Sequence, residues 1–109
     1  MMGIHPASAE EKAKLQQYVG PFEFRAQPLA EVMSAVVGAA PNRLPAQVCS
    51  ELSQTPVTLW TVHPAPVGKL IEALAYQIGA PVRLFQGHHG ELVKPTISCR
   101  GEGHLIPVK

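Results

Sequence analysis

The sequence predicts an α+β domain, two amphipathic helices packed with small mixed or antiparallel sheets. Two apolar stripes at helical spacing, each opened by a proline, and the short β-rich runs between them carry that prediction. Behind Pro28, the residues Leu29, Val32, Met33, Val36 and Val37 fall at i, i+3, i+4, i+7 and i+8, the spacing of one buried helix face. Behind Pro66, the residues Val67, Leu70, Ile71, Leu74 and Ile78 repeat the pattern. Helices are expected over 28–37 and 66–78, with Phe22, Phe24, Val32, Val36, Leu70 and Leu74 in one core.

Each element follows from local chemistry. Ser8 with Glu11 three residues on spells a capping box, in which each side chain satisfies a backbone N–H of a helix's first turn. A short helix is expected from there to about Tyr18, stopped by Gly20-Pro21. Phe22 and Phe24 alternate with Glu23 and Arg25, the period of a half-buried strand. Proline fixes φ and lacks an N–H, so Pro28 is tolerated at the first helical position. Gly38 and Gly79 stand where a left-handed residue ends a helix.

Pro41, Pro45 and Pro56 punctuate residues 39–56. Because proline cannot donate to an interior ladder, an irregular edge strand is expected there, with 43–50 as a blunted edge. Val57 to Val62 is rich in β-branched and aromatic residues and reads as a strand. Val82 to Phe85 and Leu92 to Ile97 read as two arms around the turn-rich Gly87-His88-His89-Gly90. Residues 99–109 read as a tail in which Leu105, Ile106 and Val108 can pack.

Composition excludes several functions. The 109 residues suit one domain, large enough to bury about two-thirds of its unfolded surface. Hydrophobic residues make up 46% and charged ones 16%, which argues against disorder. Nine Lys and Arg balance eight Asp and Glu, so the basic stripe of a nucleic-acid binder is missing. No segment supplies the roughly 20 apolar residues of a membrane helix, so no membrane insertion is expected. The N-terminus does not spell a secretion signal. The expectation is therefore either a cytoplasmic protein or a mature or trimmed chain.

Candidate chemistry is thin. His88-His89 is the best candidate for a metal loop, but adjacent imidazoles rarely share one ion and only Glu91 lies close as an acid. Cys49 or Cys99 as a nucleophile needs an oriented histidine such as His63 or His104, and no spacing supplies one. No serine lies in a Gly-x-Ser-x-Gly context. No catalytic residue, metal ligand or cofactor site is expected. Trp60 lies on the strand face opposite Leu59 and is read either as a core side chain or, with Phe85 or Tyr76 near, as a partner anchor. Cys49 and Cys99 are either two buried thiols or one disulfide, which would contribute about 4 kcal/mol in the chain-entropy model.

The stretch Phe22-Glu-Phe-Arg-Ala-Gln-Pro-Leu-Ala-Glu-Val-Met33 closely resembles the opening of the secretin and TonB short N-terminal domain, an alternating strand that turns through Ala-Gln-Pro-Leu into a helix. Thr55 to Leu59 resembles that family's middle strand, and Pro66 to Gly79 its second helix. The resemblance covers roughly 20–98, leaving 1–19 as a helical extension and 99–109 as a tail. Residues 39–56 are longer and more proline-rich than the family's usual link. The resemblance implies a non-catalytic docking module of an envelope-spanning secretion, pilus or TonB-type signalling complex, with protein partners, a periplasmic location and, as one option, a homo-oligomer. Strand addition at a sheet edge is the expected mode. The alternative is a small metal- or ligand-binding protein using the His88-His89 loop.

Overall fold

Proline sets the entry of both helices, and the rest of the chain is arranged around them. The computed structural model describes residues 16–40, 45–83 and 95–108. In chain order these form β1 (Tyr18–Val19), β2 (Glu23–Pro28), α1 (Leu29–Gly38), β3 (Gln47–Cys49), a 3-10 turn (Ser50–Leu52), β4 (Pro56–Trp60), β5 (Ala65–Pro66), α2 (Val67–Gln77), β6 (Val82–Arg83), β7 (Thr96–Ile97) and β8 (Leu105–Pro107). The described residues form a small α+β fold, two helices with small mixed and antiparallel sheets, as the stripes and alternating runs predict. Pro28 and Pro66 stand just ahead of the helices, with extended ψ of 138°.

Neither helix has a side-chain cap at its start, so the orphan first-turn amides need other acceptors. Backbone carbonyls from distant segments supply them. Leu29 N–H donates to Thr55 O and Ala30 N–H to Ser53 O, both at 2.9 Å, while Val67 N–H donates to Gln17 O at 2.9 Å. At the end of α2, Gly79 has φ of +64°. Its N–H reaches Tyr76 O, and the Ala80 N–H reaches Ala75 O. This is the double closure that a left-handed glycine permits. Gly38 does not play the matching role. It is the last residue of α1, and Ala39 caps that helix in the right-handed region.

The stripes meet as expected. Leu29, Val32, Met33, Val36 and Val37 of α1 are buried with Val67, Leu70, Ile71 and Leu74 of α2. Val57 and Leu59 of β4, Val48 of β3 and Ile97 of β7 close the same cluster, and Phe22 and Phe24 pack partly buried against it. Each fully buried aliphatic side chain contributes about 1.5–3 kcal/mol of transfer free energy, so this cluster is the main source of stability.

The described strands form three sheets: β1 with β5, β2 with β4, and a four-stranded sheet in the order β6-β7-β3-β8. The last corrects the expectation of an edge strand within 39–56. Gln47–Cys49 is interior, parallel to β7 and antiparallel to β8. The prolines do not prevent this because Pro45 precedes the strand. Gln47 N–H can therefore reach Pro95 O on one side, while Ser50 N–H reaches His104 O on the other. Leu105–Pro107, expected within the tail 99–109, is the strand opposite Cys49 to Gln47.

Tyr18 and Val19, expected as the end of a helix, pair instead with Pro66 and Ala65, an arrangement that buries Val19. The remainder of that expected helix, residues 8–15, lies outside the described residues. The expected strand over 57–62 ends at Trp60. Val82–Arg83 and Thr96–Ile97 pair as antiparallel arms, and residues 84–94, expected to hold the rest of both arms and the turn, lie outside the described residues.

One local feature departs from ordinary strand geometry. The ladder of β2 with β4 shifts register between Phe24 and Gln27, and Ala26 within it has φ of +51°. This is a β-bulge with a non-glycine residue in the left-handed position. A Cβ there costs about 1–2 kcal/mol, against a glycine entropy cost of about 0.4–1 kcal/mol. Ala26→Gly is therefore expected to raise stability by about 0.5–1 kcal/mol, read from the urea midpoint at unchanged slope. A lower midpoint would contradict this account of the bulge.

Candidate docking surface

Alternation along β4 decides which side chains reach solvent. Val57 and Leu59 point into the core, leaving Pro56, Thr58 and Trp60 on the outer face. Trp60 is 65% exposed, so it is not the core side chain that one reading of the sequence made it. Glu23 lies directly across the ladder from Trp60. The Arg25 guanidinium stands over the indole ring, 5.3 Å from its centroid, and pairs with Glu23 at 3.2 Å. The exposed ion pair adds little stability, and the cation–π contact about 0.5–1 kcal/mol. Together they hold the indole against the ribbon, where it forms a flat, partly desolvated platform. Val62, 70% exposed, lies two residues on.

The edge of β4 carries a second feature. The Gln77 side chain, at the end of α2, uses both halves of its amide on the main chain of Thr58. Thr58 N–H donates to Gln77 Oε1 at 3.0 Å, and Gln77 Nε2 donates to Thr58 O at 2.6 Å. Thr58 Oγ1 meanwhile accepts from the bulged Ala26 N–H at 3.3 Å. Sequence reasoning missed Gln77 and Arg25. For Arg25 a signal existed, since strand alternation puts it on the outward face with Trp60. For Gln77 none did, because a side-chain bond to a strand 19 residues away leaves no local pattern.

At the four-stranded sheet, Cys49 and Cys99 form a disulfide with Cα atoms 4.9 Å apart. The parallel pairing of Gln47 with Thr96 and Val48 with Ile97 brings the two strand ends together. Glu51 Oε2 lies 3.6 Å from Cys49 Sγ and 4.0 Å from Cys99 Sγ, while Ser50 Oγ donates to its other oxygen at 3.1 Å. The returning chain passes so near that a Cβ on Gly103 would overlap the Glu51 carboxylate and Cys99 Sγ. Cys49, Glu51 and Cys99 are also where three metal-ligating side chains converge among the described residues. Both sulfurs are already bonded to each other, so neither is a thiolate ligand or nucleophile in this state.

The other candidates fall apart spatially or lie elsewhere. His63 and His104 are exposed, and His104 meets Cys99 Sγ through its carbonyl oxygen at 3.9 Å. Ser53 Oγ is occupied by Ser50 O at 2.8 Å. Tyr76 is 87% exposed. Phe85, the second expected anchor, and His88, His89 and Glu91 of the expected metal loop lie outside the described residues. No helix among the described residues is long and apolar enough to cross a membrane. No family model matches the chain, and no similar curated protein or solved structure was found.

The disulfide closes a loop between residues 50 positions apart, which in the chain-entropy model contributes about 4 kcal/mol. Thermal unfolding with and without a thiol reductant is expected to show a loss of that order, reproduced by Cys49→Ala. An unchanged midpoint after complete reduction would mean that the fold holds β3, β7 and β8 together without the bridge.

Proposed function

We propose that the chain is a non-catalytic docking module for protein partners in a cell-envelope assembly, a secretion, pilus or TonB-type signalling complex, working in the periplasm. The observation that carries this reading is the Trp60–Arg25–Glu23 platform on the exposed face of the β2–β4 ribbon. An aromatic ring held against a strand and flanked by an arginine is the side-chain chemistry enriched at interface hot spots. The same ribbon contains Glu23 to Pro28, part of the stretch from Phe22 to Met33 on which the family resemblance rests. The disulfide supports an oxidising compartment.

The test uses a photo-crosslinking amino acid at position 60, with position 18 as control, in the full chain exported to the periplasm of its native cells. A covalent adduct from position 60 with another envelope protein is expected, and none from position 18. With that partner purified, Trp60→Ala is expected to lower affinity by about 2 kcal/mol. Its effect on folding stability should stay within about 1 kcal/mol, the worth of the exposed Arg25 contact it removes. Adducts from position 18 alone would overturn the assignment.

A further inference from the structure

We propose that the outer edge of β4 is a docking site for an extended segment of another protein, and that the Gln77 amide is the group such a segment displaces. This deepens the docking reading above and rests on it.

Hydrogen-bond direction identifies the edge. Thr61 N–H donates to Phe22 O across the ribbon at 2.9 Å. In an antiparallel ladder alternate residues face the partner strand. Leu59 therefore turns its main chain toward β2, as its pairing with Phe24 requires, while Thr58 and Trp60 turn theirs away. The outward N–H and C=O of Thr58 are the two groups that Gln77 holds. A primary amide is the side chain closest in shape to a peptide group. Here it donates once and accepts once, as one residue of an added strand would. Thr58 and Gln77 are both exposed, so an incoming chain reaches this position without opening the core.

The chemistry also selects the occupant. Two copies of β4 pairing antiparallel about Thr58 would set Trp60 of one copy opposite Pro56 of the other. Pro56 has no N–H, so each such position would lose a ladder bond. A strand from a different protein, free of proline, has no such defect and lies with its outward side chains beside Trp60. Affinity then comes from main-chain bonds and selectivity from the residue set against the indole.

The test uses the full, oxidised, 15N-labelled chain and a capped peptide of sequence Lys-Thr-Val-Thr-Val-Thr-Lys, followed by amide chemical shifts. A second peptide carries N-methyl groups on its three central residues, which remove the pairing donors. Perturbation of the Thr58 and Trp60 amides by the first peptide, and not by the second, is expected. Gln77→Ala removes the competing amide and is expected to tighten binding roughly tenfold, two modest hydrogen bonds no longer being exchanged. Gln77→Glu keeps the acceptor and loses the donor, so an intermediate gain is expected, and it carries the test if the alanine variant does not fold. Binding that needs Trp60 but ignores both Gln77 substitution and N-methylation overturns the edge site and leaves docking through the platform standing. Dimerisation of Gln77→Ala in sedimentation overturns the choice of occupant. Absence of binding to any folded form, with Trp60→Ala also silent toward the crosslinked partner, overturns both readings.

Discussion

The burial of α1 against α2 is the contact on which the other elements depend. Val32, Met33, Val36 and Val37 meet Leu70, Ile71 and Leu74 in a cluster from which water is excluded. Around such a core every helix start needs acceptors for its first amides, since an unpaired buried N–H costs about 1–3 kcal/mol. Here those acceptors come from elsewhere in the chain. Ser53 and Thr55 receive the first amides of α1, and Gln17 receives that of α2. The helix pair thus dictates where the strands run as well as how tightly the domain packs. Removing a side-chain cap from the design, as Pro28 and Pro66 both do, makes each helix start conditional on a correctly placed neighbour.

That dependence separates the molecule into a held part and an offered part. The four-stranded sheet is fastened by the disulfide at the ends of β3 and β7 and by β8 returning along β3. The β2–β4 ribbon, by contrast, has its inner face in the core and its outer face open. Its side chains there are Glu23, Arg25, Thr58 and Trp60. A two-stranded ribbon has two edges, and unpaired edges invite unwanted pairing. Pro56 and the Gln77 amide restrain one of them. The same restraint that suppresses indiscriminate pairing sets the threshold a partner strand must exceed.

Much of the fold was legible in the sequence because its strongest signals are local. The helical stripes, the prolines ahead of each helix and Gly79 each express a constraint contained within one turn. The alternation of Val57 and Leu59 against Thr58 and Trp60 is equally local, and it sets Trp60 on the face opposite the buried pair. What was not legible depends on partners far along the chain. β3 is three residues long and interior only because β7 and β8 arrive from about 50 to 60 residues away. β8 looked like a tail for the same reason, and Tyr18–Val19 is a strand only by virtue of Ala65–Pro66. The disulfide was one of two readings, since spacing does not reveal which strand ends are neighbours. Gln77 and Glu51 act through side-chain geometry that no periodicity encodes.

The central claim is that the β2–β4 ribbon is the surface a partner covers. Hydroxyl-radical footprinting of the chain in its native complex, compared with the chain alone, tests it most directly. Trp60, at 65% exposure, and Tyr18, at 69%, serve as two intrinsic reporters on different sheets. The account predicts strong protection of Trp60 in the complex with Tyr18 as reactive as before. Protection of Tyr18 with Trp60 still fully oxidised would contradict it.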